Sequence, residues 1–292
     1  VNPGLDVGAR NLIVDAHTHL FAPEIVRDRS RHLERDTWFG ELFASPEISL
    51  VTPEDLIASM DEAGIDISVV CGWPWQDMGL CREHNAFLAD VQATYPGRIV
   101  WLAIVNPTAP DAPAEIDASI RAGASGVGEL NADAQQFSWE RPGELAPAMD
   151  VCIQAGIPVL MHCSEPVGHA YPGKGTATPD KVLRFLESFP ELRVVAAHWG
   201  GGLPFYEMMP EVAELTRNVV YDSAASTYLY RFDVFPVVHR LLGAERVAFA
   251  TDYPLLRQRA FLNRMLASGV PDHMLPSLLG GTATSIFKLN PE

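Results

Sequence analysis

Eight short runs rich in Val, Ile and Ala punctuate the chain, at residues 12–15, 65–71, 99–105, 125–130, 157–161, 194–197, 219–221 and 247–251. Apolar positions within each run are near-continuous rather than alternating, as in strands buried on both faces of a parallel sheet. Amphipathic stretches with helix-start signals lie between them. Thr52-Pro53-Glu54-Asp55 reads as an N-cap, a proline at the first helical position and first-turn acids, and Thr178-Pro179-Asp180 repeats that grammar ahead of 181–189. Further helices are expected at 85–95, 113–122, 147–155, 205–215, 234–242, 259–267 and 274–287. Strand starts recur about every 30 residues, the length of a crossover βαβ unit. The expected fold class is therefore α/β, a (β/α)8 TIM barrel, with a doubly wound sheet as the alternative. No break in composition marks a second domain, so residues 1–292 are read as a single barrel domain. The first gap is longer than the rest, and 27–50 is read as an elaborated loop after strand 1, capping the C-terminal mouth where barrel sites are built.

Composition narrows the function classes. The 292 residues carry a formal net charge of −16, which disfavours non-specific attraction to nucleic acid or an anionic bilayer. Hydrophobic residues make up 48% of the chain, enough for a packed core. No apolar run approaches the roughly 18 residues of a membrane span, and the first ten residues lack the basic-then-apolar layout of a secretory leader. A soluble, cytoplasmic protein is expected, with a small-molecule substrate, no nucleic-acid or membrane partner, and homodimerisation left open. Cys71, Cys81, Cys152 and Cys163 form no Cys-x-x-Cys pair and are expected to be reduced, mostly buried thiols.

Chemically capable residues fall at the ends of these runs. His17 and His19 close the first; two apart on an extended chain, they share a face and can grip one metal ion. Glu129 ends the fourth run, His162 the fifth, His198 the sixth and Asp252 the eighth. Strand ends of a barrel converge on one mouth, so these six become neighbours there.

The pattern resembles the amidohydrolase superfamily. The segments Asp15-Ala-His-Thr-His, His198-Trp-Gly-Gly and Thr251-Asp-Tyr-Pro are similar to the branch that contains aminocarboxymuconate-semialdehyde decarboxylase. The resemblance implies that His17, His19, His162 and Asp252 ligate one divalent ion, zinc first and manganese second. His198 would lie beside it, as a catalytic acid/base or as a ligand of a second ion. Strand 4 offers no lysine to bridge two metals, but Gly128-Glu129 is similar to the strand-4 glutamate of TatD-type hydrolases. One ion or two therefore stays open, with Glu129 either bridging or hydrogen-bonding a ligand histidine or the substrate.

The favoured activity at this level is hydrolysis of an amide, ester or lactone of a small, carboxylated substrate. The ion would activate a water, with Asp252 and His198 as the catalytic groups. The alternative is non-oxidative decarboxylation of an aromatic or muconate-type acid. A non-catalytic scaffold is disfavoured because the ligand set is complete. The segment 165–175 after strand 5 is the candidate substrate loop, with His169, Tyr171 and Lys174, and Trp73 after strand 2 is a candidate pocket wall. Gly168 to Lys174 imitates a phosphate loop, but Gly175 stands where Ser or Thr should hold magnesium. Arg27, Arg29, Arg31 and Arg35 are either a solvated face or the source of a clamp for a substrate carboxylate.

Overall fold

The computed structural model describes residues 12–289. All eight expected strands are present: β1 (Val14–Thr18), β2 (Ile67–Val70), β3 (Ile99–Trp101), β4 (Val127–Leu130), β5 (Val159–Met161), β6 (Val194–Ala196), β7 (Val219–Asp222) and β8 (Val247–Ala248). Every pairing is parallel, in the orders β1-β2-β3 and β4-β5-β6-β7-β8. Two seams join these sheets into a ring. A single bridge pairs Ala103 with Val127, and another pairs Thr18 with Tyr253. At the second seam Ala16 N donates to Phe249 O at 2.9 Å and Asp252 N to His17 O at 2.9 Å. The barrel thus closes through backbone that carries the site residues themselves.

Val14, Ala16, Val69, Leu102, Leu160, Val195, Val220 and Ala248 form one buried cluster, which only the interior of a closed ring can bring together; Ile286 and Phe287 of the C-terminal helix join it. Two larger clusters lie between strands and helices. The helix Pro53–Ala63 starts as its sequence implies. Thr52 accepts from Asp55 N, the Asp55 carboxylate accepts from Thr52 N, and the helix stops at Gly64 with φ +75°.

Some boundaries differ from expectation. The helix before β3 begins at Met78, not near 85, because Asp77 caps it through Leu80 N. The helix Pro142–Ala155 starts five residues early and contains Pro147. The segment expected at 205–215 divides into a 3-10 turn, Leu203–Met208, and the short helix Pro210–Leu215. Residues 27–50 are not a bare loop. The short helices Ser30–Arg35 and Thr37–Phe43 follow Pro23–Arg27 and pack on the aromatic residues that follow β2. Phe43 lies 4.9 Å from Trp73 and Phe39 5.1 Å from Trp75, ring centroid to centroid. The four cysteines are buried and free. No helix among the described residues is long and apolar enough to cross a membrane.

Candidate metal centre

Parallel strands deliver their C-terminal residues to one rim, and all six candidate groups meet there. His17 Nε2 lies 3.0 Å from His19 Nε2. Glu129 Oε2 stands 3.5 Å from each of these nitrogens. Asp252 Oδ1 is 3.8 Å from His17 Nε2 and 3.5 Å from His19 Nε2. Ligands about 2.1 Å from one ion at tetrahedral angles stand roughly 3.4 Å apart, so the spacings among His17, His19 and Asp252, with Glu129 Oε2 near both imidazoles, fit a divalent ion. The other oxygen of Glu129 faces a second group. Its Oε1 is 2.8 Å from His162 Nδ1 and 3.2 Å from His198 Nε2, and those two nitrogens are 3.2 Å apart. The donor atoms thus form two trios, His17/His19/Asp252 and Glu129/His162/His198, with Glu129 turned to both.

Hydrogen bonds behind the rings decide which nitrogens keep a lone pair. His17 Nδ1 donates to Asp222 Oδ2 at 2.8 Å, His162 Nε2 to the carbonyl of Gly173 at 3.1 Å, and His198 Nδ1 to the carbonyl of Ala224 at 3.4 Å. Oxygens of that kind only accept, so the opposite nitrogen of each neutral ring is unprotonated and directed inward, as a metal ligand requires. Lone pairs and carboxylate oxygens converging within such distances in a buried site need a cation between them. The residues present therefore fit a metal ion.

Electrostatics agree. Burial opposes a charged imidazole at His17, yet the carboxylates of Glu129 and Asp222 outweigh it and raise that residue well above the usual range. Burial likewise opposes charge on His198, but Glu129 above all pushes it up to about 9. Burial would raise Glu129, yet His17 and His162 hold it well below the usual carboxylate range.

Several local backbones explain why these residue types stand here. Gly128, at φ +142°, would place a Cβ 2.4 Å from the Leu160 carbonyl oxygen, so Glu129 can only follow a glycine. Asp252 has φ +64°, and the five successive residues from His198 to Gly202 all have positive φ: 57°, 57°, 56°, 62° and 91°. L-residues with side chains adopt that region at a cost, and such outliers gather at functional sites. Trp199 is held there by its indole bond to Ser226 Oγ at 2.7 Å and by its packing against Phe235, 5.0 Å away.

The other candidates are placed less uniformly. Trp73 is buried 6.0 Å from the His19 ring, at the centre's edge. Tyr171 is half-buried, with its hydroxyl 3.4 Å from Glu165 Oε2. His169 is exposed and lies against Tyr171. Four of the five candidate cations are already bonded, and Arg31 is exposed. Lys174 Nζ donates to the carbonyls of Val167 and His169, Arg29 to those of Phe43, Ser45 and Ile48, Arg27 to Pro23, and Arg35 pairs with Asp77 and Glu83.

Two residues escaped the sequence reading. Asp222 ends β7 as His162 ends β5, and its position at the close of an apolar run was the available signal. Asp15 lies wholly buried, accepting from Thr251 N and Oγ1 and from Gln258 Nε2. Burial raises its carboxyl to about 6.

Residues 14–289 match a family model described as amidohydrolase. No protein of curated function matches the chain in sequence. Among solved structures, 5-carboxyvanillate decarboxylase from Sphingomonas paucimobilis superposes with a TM-score of 0.75 at 19% identity, covering 96% of this chain and 100% of its own. The 5-carboxyvanillate decarboxylase of Novosphingobium aromaticivorans, complexed with manganese and 4-hydroxy-3-methoxy-5-nitrobenzoic acid, reaches 0.78 at 20% identity, covering 95% of this chain and 96% of its own. The 2,6-dihydroxybenzoate decarboxylase from Rhizobium reaches 0.73 at 19%, covering 96% and 99%. These three whole-length matches, each a decarboxylase, overturn the preference for hydrolysis. The physical reason the sequence misled is that one metal-binding rim serves either reaction, so ligand spacing carries no information on the bond broken.

Proposed function

Because this chain belongs to the amidohydrolase family, we propose that it is a metal-dependent, non-oxidative decarboxylase of a small aromatic or muconate-type carboxylic acid. The observation that carries the reading is the division of labour at Glu129. One oxygen lies 3.5 Å from both His17 Nε2 and His19 Nε2, beside Asp252, and the other faces His162 Nδ1 at 2.8 Å and His198 Nε2 at 3.2 Å. Hydrolysis needs a metal-bound hydroxide; decarboxylation needs a proton for the carbon that loses carbon dioxide. His198 Nε2, 3.2 Å from Glu129 Oε1 at the edge of the ion site, is the imidazole placed to supply one.

Imidazoles and carboxylates accept zinc and manganese alike, and the manganese-bound neighbour favours manganese. When bound at His17, His19, Asp252 and Glu129, the ion would supply the positive charge that holds the substrate's oxygens. Arg29 and Lys174 bond carbonyls of their own segments, and Arg35 pairs with Asp77 and Glu83 beyond β2. Trp73 offers an aromatic wall beside His19 for a flat acid. As the carbon–carboxylate bond breaks, its electron pair stays on the substrate carbon, carbon dioxide departs, and His198 Nε2 delivers the proton to that carbon.

The test is carbon dioxide release from a panel of hydroxylated aromatic and muconate-type acids, with manganese- and zinc-loaded protein. Release that a chelator abolishes, and that His198→Gln lowers on the order of 100-fold with the ion retained, is the expected result. Metal-loaded protein that cleaves esters or lactones while leaving every acid intact would refute the proposal.

A further inference from the structure

Parallel strands deliver their first residues to one end of the barrel as surely as their last, and the end opposite the metal centre collects arginines. Arg193 directly precedes β6, Arg217 stands two residues before β7, and Arg246 directly precedes β8. These strands are neighbours in the sheet, so the three guanidinium groups line one cavity of about 390 Å3. The turn Ser277–Gly281 and the helix Thr282–Phe287 supply another of its walls. A chain with 37 acidic residues and 21 basic ones thus places three of its cations around a single hollow.

Two of the three already have counter-charges. Arg217 Nη1 lies 3.1 Å from Glu214 Oε1, and Arg246 Nη2 lies 2.8 Å from Glu207 Oε1. Neither carboxylate lines the cavity, and a guanidinium offers five N–H groups in a planar fork. Arg246 uses Nε and Nη2 on Val219 O, Thr216 O and Glu207, which leaves Nη1 to donate elsewhere. Arg193 is different. Its Nη2 donates to the Ser285 carbonyl at 2.7 Å, and no carboxylate among the described residues pairs with it. Burial alone holds its pKa below the usual arginine value. A cation partly withdrawn from water with no opposite charge beside it is stabilised by an anion. Glu245, the one acidic residue on the lining, is exposed and pairs with none of the three arginines.

The lining also selects the kind of anion. Guanidinium forks match the oxygens of phosphate, while Val220 and Ile286 give the same cavity an apolar part. Its volume falls within the range of small-molecule sites, more than a bare phosphate fills.

We propose that this cavity binds a phosphate monoester, with the phosphate on Arg193 between Arg217 and Arg246 and the organic body toward Val220 and Ile286. The site is separate from the metal centre and does not depend on which reaction that centre performs. Calorimetric titration of the full chain at constant ionic strength tests it, with phenyl phosphate and inorganic phosphate as the probes. The protein is first stripped of divalent ions, so that no phosphate is held at the metal centre. The wild type is expected to bind one phenyl phosphate per chain, more tightly than inorganic phosphate. Arg193→Met should weaken phenyl phosphate by about 10- to 100-fold, the effect of losing charged hydrogen bonds. Glu245→Gln should tighten it by about threefold or more, because a repelling charge leaves the lining. A wild type that binds no phenyl phosphate, or an Arg193→Met protein with wild-type affinity, would overturn the proposal. Where loss of the Ser285 bond lowers the thermal midpoint of Arg193→Met, the exposed Glu245 position decides, and unchanged or weaker binding by Glu245→Gln overturns it. Equal affinity for the two probes would overturn the assignment to a monoester.

Discussion

Asp222→Asn should weaken divalent-ion binding far more than it weakens the fold. The native carboxylate is wholly buried. Its Oδ2 accepts from His17 Nδ1 at 2.8 Å, while Oδ1 accepts from the backbone N–H groups of His198 at 2.8 Å and Ala224 at 3.0 Å. An asparagine must choose an orientation. Turning its NH2 toward two rigid backbone donors would leave both unpaired, at about 1–3 kcal/mol each, so its oxygen stays with them and the NH2 faces His17. His17 Nδ1 must then accept, and its proton moves to Nε2. That atom lies 3.0 Å from His19 Nε2 and 3.5 Å from Glu129 Oε2, where the ion requires a lone pair. Loss of such a supporting partner costs roughly 10–100-fold in metal affinity, or about 1.4–2.8 kcal/mol. Competition against a chromophoric chelator, with manganese and with zinc, measures it directly. Asp222→Ala is the harsher comparison, since three buried donors lose their acceptor and the fold suffers as well. If Asp222→Asn binds the ion as tightly as the wild type, Asp222 does not orient His17 for the ion.

Three further outcomes are expected. Stripping the ion should lower the thermal midpoint, and an ion at 100 times its Kd should restore about 2.7 kcal/mol; a midpoint indifferent to chelator would count against the site. Thr52→Ala should destabilise the protein by about 1 kcal/mol through loss of the cap on Pro53–Ala63, as read by denaturant unfolding, with ion affinity untouched. Asp15, raised from 3.8 to about 6 by burial, binds its proton more tightly folded than unfolded. Its contribution to stability is therefore fully present below about pH 4 and is lost as pH rises to about 6, by about 3 kcal/mol. The stability difference between wild type and Asp15→Asn should drift across that window and level off above it; a flat difference would show that Asp15 is not held protonated.

The barrel was legible because parallel strands buried on both faces leave unbroken apolar runs, and because site residues stand at the same end of each. His17, His19, Glu129, His162, His198 and Asp252 could all be placed by that rule. Asp222 obeys it too, but a single carboxylate closing an apolar run gives no sign that its partner is a histidine on β1. The helices Ser30–Arg35 and Thr37–Phe43 were illegible for another reason. They are too short to show a period and stand through contacts with Trp73 and Trp75, residues distant in sequence. The fate of Lys174 and Arg29 was hidden because their partners are backbone carbonyls, which every residue possesses. Charge in a sequence says where a cation is, not which oxygen it has found.

The run of positive φ from His198 to Gly202 also bears on how this barrel could be redesigned. It is a stretch of mirror-image backbone. Each residue with a side chain placed there costs roughly 1–2 kcal/mol, and Cβ atoms on Gly200 and Gly201 would meet Tyr221 at 2.8 Å and the Ser164 carbonyl at 2.4 Å. The histidine cannot slide along its strand, nor can the glycines behind it be recruited as new contacts for a substrate. Libraries aimed at a different acid would therefore waste diversity on 198–202. The productive ground is the pair of segments that overhang the rim, 37–43 and 165–172, where Leu42 already lies within 4 Å of where a Gly173 side chain would begin.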